Sequence, residues 1–570
     1  MLIPDPTQLT ETPDLHGAYP RLSADQVKIL ATRGERRHVR RGQVLIREGE
    51  RTDQFLVVLR GKVLVITGYG GDDARVIRVH GPGRFLGELG LLAGQVAFST
   101  AMPGEDAEVL AVPLEALTEV VQRDTALGDL IVRAYFLRRE LLIGMEAGFR
   151  IIGSHYCADT RRLREFAGRN RLPHRFVDLE QDSDADKVLR SLGLGPADTP
   201  VVIWRKGPQG LVLRNPSNAE LARAIGVTVL RPETSVRDLL VIGAGPAGLA
   251  AAVYGASEGL ATTALDAIAT GGQAGTSSRI ENYLGFPAGI SGAELAERAA
   301  IQARRFGAEI SVPAEAVALV PDGELYVVPV DCGGRRMEVV SRTVVIATGA
   351  RYRRLDAPGI GEFEGTCVHY AATLIEAKLC AQRPVAVVGG GNSAGQATVF
   401  LAEIAPVVHL VAREDDLGEN MSRYLVDRIR RHPRVVVHPH SRVRRAVGHG
   451  SLEALVIEDD HSGGRRSIPA EVLFVFIGAQ PCTRWLADTV ALDDSGFILT
   501  GVDAEPAARG EVWQHLDRPP RILETSRPGV FAVGDVRHGA VRRVASAVGD
   551  GATAIRMLHE HLEHTGSRAS

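Results

Sequence analysis

Three stretches of this chain pair residue types with spacings that can do chemistry. The first is Gly243-x-Gly245-x-x-Gly248, set between the apolar run DLLVI and a helix-forming run of small residues. In such a turn the first glycine permits the tight bend and the second lets backbone approach a pyrophosphate. The third lets the helix pack on the strand, with the helix N-terminus facing the anion. Pro246 and Ala247 open that helix, and Asp266 ends the next strand run at a spacing suited to a ribose hydroxyl. The second stretch, PVAVVGGGNSAGQA, repeats the arrangement with Gly389, Gly391 and Ala394 in the three roles and Gly390, Asn392 and Ser393 among them. Two such turns predict two dinucleotides, a flavin and a nicotinamide. The third stretch is SHYCADTRRLREF, where Cys157 stands after a strand run and before a helix run. A helix N-terminus favours the thiolate. The alternative is an incidental cysteine in an adaptor domain.

The elements that must position these residues fall into three regimes. From Leu22 to Val112, short β-like runs alternate with glycine turns (GQVLIREGE, QFLVVLRGKVLVI, RVIRVHGPGRF, AEVLAV), which predicts an antiparallel roll. One helical stretch follows, ALTEVVQRDTALGDLIVRAYFLRRELLIG. From Phe149 to Val227 the order reads βαβαββα, a parallel βαβ unit, a hairpin and a closing helix, with Pro200 directly before the third strand. From Val236 onward two strand–glycine–helix units predict a nucleotide-binding α/β architecture. The fold class is therefore multidomain. A β-roll with helices spans 15–147, a central α/β domain 148–232, and a flavoprotein with two dinucleotide-binding domains the remainder.

Bulk properties narrow the function classes. At 570 residues the chain exceeds what one core serves. A net charge of −3 gives no pull toward a polyanion, so no nucleic-acid partner is expected. Five cysteines at irregular spacing are not a secreted disulfide framework, and a cytoplasmic location is expected. The start, MLIPDPTQLTETPDL, lacks the pattern of a signal peptide, and no membrane span and no metal site are assigned.

From Val236 on, the chain resembles the low-molecular-weight thioredoxin reductases. The resemblance rests on GAGPAG, GGQA at Gly271–Ala274, RIENYLGFP around Asn282, VVIATGA around Thr348 and Gly349, GGGNSAG, FVFIGAQP, and GVFAVGDVRHGAVRRVASAVGDGA, in that order. It implies that Gly272, Gln273 and Asn282 border FAD, and that Asp535 of Gly534–Asp535 bonds the ribityl chain. It also implies that Arg542, Arg543 and Val544 meet the flavin ring and that the protein is a homodimer. The domain bounds that the resemblance implies are 235–350 and 481–570 for FAD and 351–480 for the nicotinamide. The central domain has the thioredoxin and glutaredoxin layout, which implies a cis-proline at Pro200 and a monothiol site at Cys157 with Thr160 in the second cysteine's place.

Two departures from that family matter. NADPH-using members carry HRRxxxR after the second strand, whereas this chain has Ala412-Arg413-Glu414-Asp415-Asp416-Leu417-Gly418. Arg413 is left to grip a 2′-phosphate and Glu414 opposes it, so NADPH and NADH both stand, as does a merely solvated Arg413. More drastic is the loss of the redox C-x-x-C: its positions hold Ala371, Ala372, Thr373 and Leu374. Cys367 and Cys380 flank them without thioredoxin spacing and, like Cys332 and Cys482, read as buried free thiols. The resemblance thus implies a nicotinamide-to-flavin hydride transfer whose usual dithiol outlet is closed. A thioredoxin-like or ferredoxin-like acceptor is then expected, with a non-enzymatic redox sensor as the alternative.

The front roll resembles cyclic-nucleotide-binding domains through GRFLGELGLLAGQVAFSTA. Gly87, Glu88 and Leu89 match the phosphate cassette, where the glutamate takes the ribose hydroxyl. The position of the phosphate-binding arginine holds Phe98, and losing one partner of a buried charge pair costs about 2–5 kcal/mol. Binding of cAMP is therefore not expected, which leaves another ligand, dimerisation or docking. With no helix-turn-helix behind the roll, transcription-factor function is not expected.

Overall fold

The computed structural model describes residues 10–565 except 72–73, 88–94, 146, 183–184, 205–209, 228–229, 231–234, 278, 281, 365, 371–379, 381, 487, 509–510 and 517. Glu88, Leu89 and the segment from Ala371 to Leu374 lie outside the described residues.

The front roll has two antiparallel sheets. One runs Glu35–Val39, Ala107–Pro113, Gln54–Arg60, Phe85–Leu86; the other runs Arg75–His80, Val63–Thr67, Thr100–Pro103. What reads in sequence as one helix is two, Leu114–Arg123 and Thr125–Gly144. The break is Asp124, extended at φ −111°, whose carboxylate accepts from the Leu127 N–H and caps the second helix.

In the central domain the sheet order is Leu211–Arg214, Val201–Trp204, Phe149–Gly153, His174–Asp178, with only the last pair parallel. The helices Ala158–Arg169, Ala185–Ser191 and Asn218–Ala224 complete the order βαβαββα, and the Thr199–Pro200 peptide is cis.

Beyond it, the parallel strands Arg237–Ile242, Thr262–Leu265, Glu309–Ser311, Arg336–Ile346 and Val530–Ala532 form one Rossmann-type sheet. A second parallel sheet is inserted into it: Val368–His369, Val472–Val475, Val385–Val388, Val408–Val411, Val435–His438. The chain crosses between the two on the antiparallel pair Ala350–Tyr352 and Ala479–Pro481.

The central and flavin-type domains share one apolar core, and Val96 and Phe98 of the front roll reach into it. The Phe98 ring stacks on Trp204 at 5.6 Å, and Trp204 Nε1 donates to Glu48 at 3.0 Å. Below, Glu297 of the flavin-type domain accepts from Tyr135 and pairs with Arg139 and Arg171 at 3.3 Å each. The three domains therefore dock through buried contacts.

Candidate functional site

The first glycine turn works through close approach. Gly243 has φ +105°, and a side chain there would collide with the Ala347 carbonyl. Gly245 precedes the Pro246–Ser257 helix as its N-cap and would meet only Gly272 Cα, at 3.8 Å, so its cavity side is open. Helix and strand meet at Gly248, where a Cβ would strike the Gly243 carbonyl.

A cavity of about 780 Å³ opens over this turn. Its walls include Gly243, Gly245, Pro246, Ala247, Asp266, Gly272, Gln273 and Asn282, together with Thr348, Gly349, Gly534, Asp535, Arg542, Arg543 and Val544. Of the residues assigned to FAD from sequence, Gly248 alone is not in the wall; it acts through helix packing.

The carboxylate of Asp266 is engaged by backbone: one oxygen accepts from the Ala244 N–H at 2.9 Å, the other from Ile268 and Ala269 at 2.9 and 3.0 Å. It staples the glycine turn to the following loop at the edge of the cavity that it lines. Asp535 follows the Val530–Ala532 strand on a 3-10 turn, and Gly534 is fixed by its N–H donating to Asp550 at 3.1 Å. Burial pushes the Asp535 carboxyl above its ordinary range against the opposing pull of Arg542, and Asp550 adds to the rise. Its carboxylate has no hydrogen-bond partner among the described residues, as befits a group awaiting a ligand hydroxyl. Arg543 caps the Val544–His564 helix, which points its N-terminus at the same space. Two helix N-termini, an unengaged carboxylate and a glycine-lined wall fit the diphosphate and polyol of FAD.

Among the wall residues without a cofactor assignment from sequence are one thiol and one arginine from outside the flavin-type domain. Cys482 has its thiol pKa raised by burial, against the lowering influence of Arg351. Its position just after the crossing strand Ala479–Pro481 is the one sequence signal that could have placed it there. The other is Arg169, from the central domain, which no local signal marks.

The remaining thiols do not form a pair. All five cysteines are free. Cys367 packs with Ala386 and Val388, whereas Cys380 packs with Val385 and Val387. Successive strand residues face opposite sides of a sheet, so the two thiols lie on opposite faces. Cys332 is fully buried. Cys157 is the N-cap of the Ala158–Arg169 helix, and its pKa is lowered chiefly by the Thr160 N–H, helped by the Thr160 hydroxyl. That helix of 12 residues spans roughly 18 Å. Its far end, Arg169, is the part that reaches the cavity.

The second glycine turn follows the Val385–Val388 strand, with Gly391 capping the Asn392–Ala402 helix and Ser393 and Ala394 in its first turn. Asn392 accepts from the Ser422 N–H at 2.7 Å. Gly389 has φ +144° and would collide with the Phe476 carbonyl if it carried a side chain. The Glu414 carboxylate lies directly on Gly390, with its buried Oε2 lacking a hydrogen-bond partner. Arg413 is exposed beside it. On the same edge Asp415 contacts His440 at 2.6 Å and His461 at 3.4 Å.

In the front roll, Gly87 has φ +100° against the Gln54 carbonyl, while Phe98 is held by Trp204 and the central domain.

A pyridine nucleotide-disulphide oxidoreductase model matches residues 237–551 and a cyclic nucleotide-binding domain model matches 36–124. Similar chains include the 34.2 kDa protein in rubredoxin operon of Clostridium pasteurianum, 32% identical over 57% of this chain and 97% of its own. The thioredoxin reductase of Treponema pallidum is 30% identical over 57% and 97%. A solved thioredoxin reductase from Streptococcus pyogenes is 30% identical, covering 58% of this chain and 99% of its own, with a TM-score of 0.46.

Proposed function

The chain belongs to the pyridine nucleotide-disulphide oxidoreductase family, as an FAD-dependent oxidoreductase similar to thioredoxin reductase, and from that premise we propose the route its electrons take. The donor is NADH or NADPH. The acceptor is a separate thioredoxin-like or ferredoxin-like redox protein, reached without a dithiol of this chain.

The observation that carries this reading is the composition of the cavity wall, which brings together the residues assigned to FAD from sequence, Gly248 apart, with one thiol, Cys482, among the described residues. Bound FAD would supply two-electron acceptance from a nicotinamide and electron release in one or two steps. The chain's own residues hold and shield it. Gly243, Gly245 and the Pro246 helix start take the diphosphate. Asp535 takes a ribityl hydroxyl, and Arg542, Arg543 and Val544 close one side of the ring site. Gly389, Gly390, Gly391, Asn392, Ser393 and Ala394 take the nicotinamide's diphosphate, with Arg413 and Glu414 at its ribose. A homodimer is part of this reading by resemblance to the family. Among the described residues no helix is long and apolar enough to cross a membrane.

A second reading rests on Cys157. Its lowered pKa and N-cap position suit a monothiol relay to a disulfide or glutathione-type partner. The length of its helix holds it away from the cavity, so that relay requires the central domain to undock.

Anaerobic stopped-flow reduction of the yellow protein, with NADH and NADPH in parallel, tests the main reading. Rapid bleaching of the flavin band supports an enzyme. A flavin that stays oxidised with both donors would leave the redox-sensor alternative.

A further inference from the structure

The wall of the FAD cavity is not supplied by the flavin-type domain alone. Arg169, at the C-terminal end of the central domain's Ala158–Arg169 helix, lines it. Its Nη2 donates to the Gly272 carbonyl at 3.2 Å. Gly272 in turn lies against the phosphate turn: a Cβ on it would stand 3.0 Å from Gly245 Cα. Arg169 is therefore fixed on the side of the cavity where the second glycine of the turn admits a diphosphate. Its side chain is about 20% exposed, and Glu165, at 3.8 Å, is a distant and well-solvated counter-ion. The neighbouring residues anchor the same helix end. Asn170 Nδ2 donates to the Ile268 carbonyl at 3.0 Å, and Arg171 pairs with Glu297 at 3.3 Å.

We propose that Arg169 is a cofactor-binding residue contributed by the thioredoxin-like domain, its guanidinium facing the FAD diphosphate, so that cofactor occupancy and docking of that domain favour each other. Arginine carries its charge at every physiological pH and presents a planar fork suited to phosphate oxygens. The loop that Arg169 and Asn170 hold runs from Ile268 to Gly272. Anything that orders this loop around a diphosphate also orders the surface on which the central domain rests. Linkage makes the effect reciprocal: docking tightens FAD by the same factor by which FAD tightens docking.

The inference rests on the FAD reading of the cavity, and the experiment separates the two. Full-length apoprotein is titrated with FAD and with riboflavin, which lacks the diphosphate, for the wild type and for Arg169→Gln and Arg169→Lys, following quenching of flavin fluorescence. Expected is a loss of FAD affinity of roughly 10- to 100-fold in Arg169→Gln, a smaller loss in Arg169→Lys, and unchanged riboflavin affinity. Hydrogen exchange of residues 164–171 slows on FAD addition in the wild type and not in Arg169→Gln. The proposal is overturned if Arg169→Gln binds FAD within twofold of the wild type. An equal loss of riboflavin affinity overturns it as well, since that marks general damage to the site. A wild-type chain that binds neither flavin overturns the FAD reading itself.

Discussion

The Phe98 ring stacks on Trp204 at 5.6 Å and 20° between planes, across the boundary of the front roll and the central domain. Phe98 is thus an interdomain anchor. Both rings are buried, at 5% and 1% exposure, so truncating either leaves a large cavity. Phe98→Ala is expected to lower stability by about 3–5 kcal/mol in denaturant unfolding. Phe98→Arg is expected to destabilise the chain without creating measurable cAMP binding by calorimetry, because Trp204 occupies the facing side. Tight cAMP binding by the wild type would contradict this account of the roll.

Glu414 resting on Gly390 bears on the choice of nicotinamide. A carboxylate with a buried, unengaged oxygen accepts from a free ribose diol and repels a 2′-phosphate. Glu414→Arg is expected to raise the NADPH:NADH ratio of kcat/KM by tenfold or more, about 1.4 kcal/mol of discrimination. An unchanged ratio would place Glu414 away from the 2′ position.

Asp535 pits binding against stability. Its pKa is raised in the fold by burial, so its ionised form strains the apoprotein. The favourable contribution exists below the unfolded carboxyl pKa and is lost as pH rises through the folded one. Asp535→Asn is expected to leave the apoprotein melting point at pH 7.5 equal or higher while weakening FAD about tenfold. A lower melting point for the apo variant would count against burial as the cause.

Acid sensitivity is built into the nicotinamide-type domain. Arg466 donates to His438 Nδ1 at 2.8 Å, and His438 Nε2 contacts His409 Nδ1 at 3.0 Å. Burial lowers both pKa values, His438 from 6.5 to about 4. The unfolded chain takes up protons that the native one refuses. Stability is therefore present above about pH 6.5 and lost as pH falls toward 4, by up to roughly 3 kcal/mol for His438. His438→Gln should flatten the melting-point profile between those limits.

Thiol reactivity should be ordered by environment. At pH 7, iodoacetamide followed by mass spectrometry is expected to label Cys157 first, because its pKa is lowered at a helix N-cap. The buried Cys332 and Cys380 should react only on unfolding. Faster labelling of Cys482 would mean that its raised pKa is offset by cavity access.

Sequence alone determined what depends on neighbours along the chain. Both glycine turns, the βαβαββα order, Pro200 and the absence of a C-x-x-C are local patterns, since turn geometry and strand period are set within a few residues. The Asp124 break was missed because the apolar spacing continues through it, and only the cap geometry divides the helices. Contacts between distant segments were decided by the tertiary structure. Cys367 and Cys380 face opposite sides of one sheet, Cys482 joins the cavity wall, Phe98 meets Trp204, and Arg169 reaches Gly272 across 103 positions of sequence. Such pairs leave no period in the chain. They exist because burying apolar surface between domains fixes which side chains are brought together.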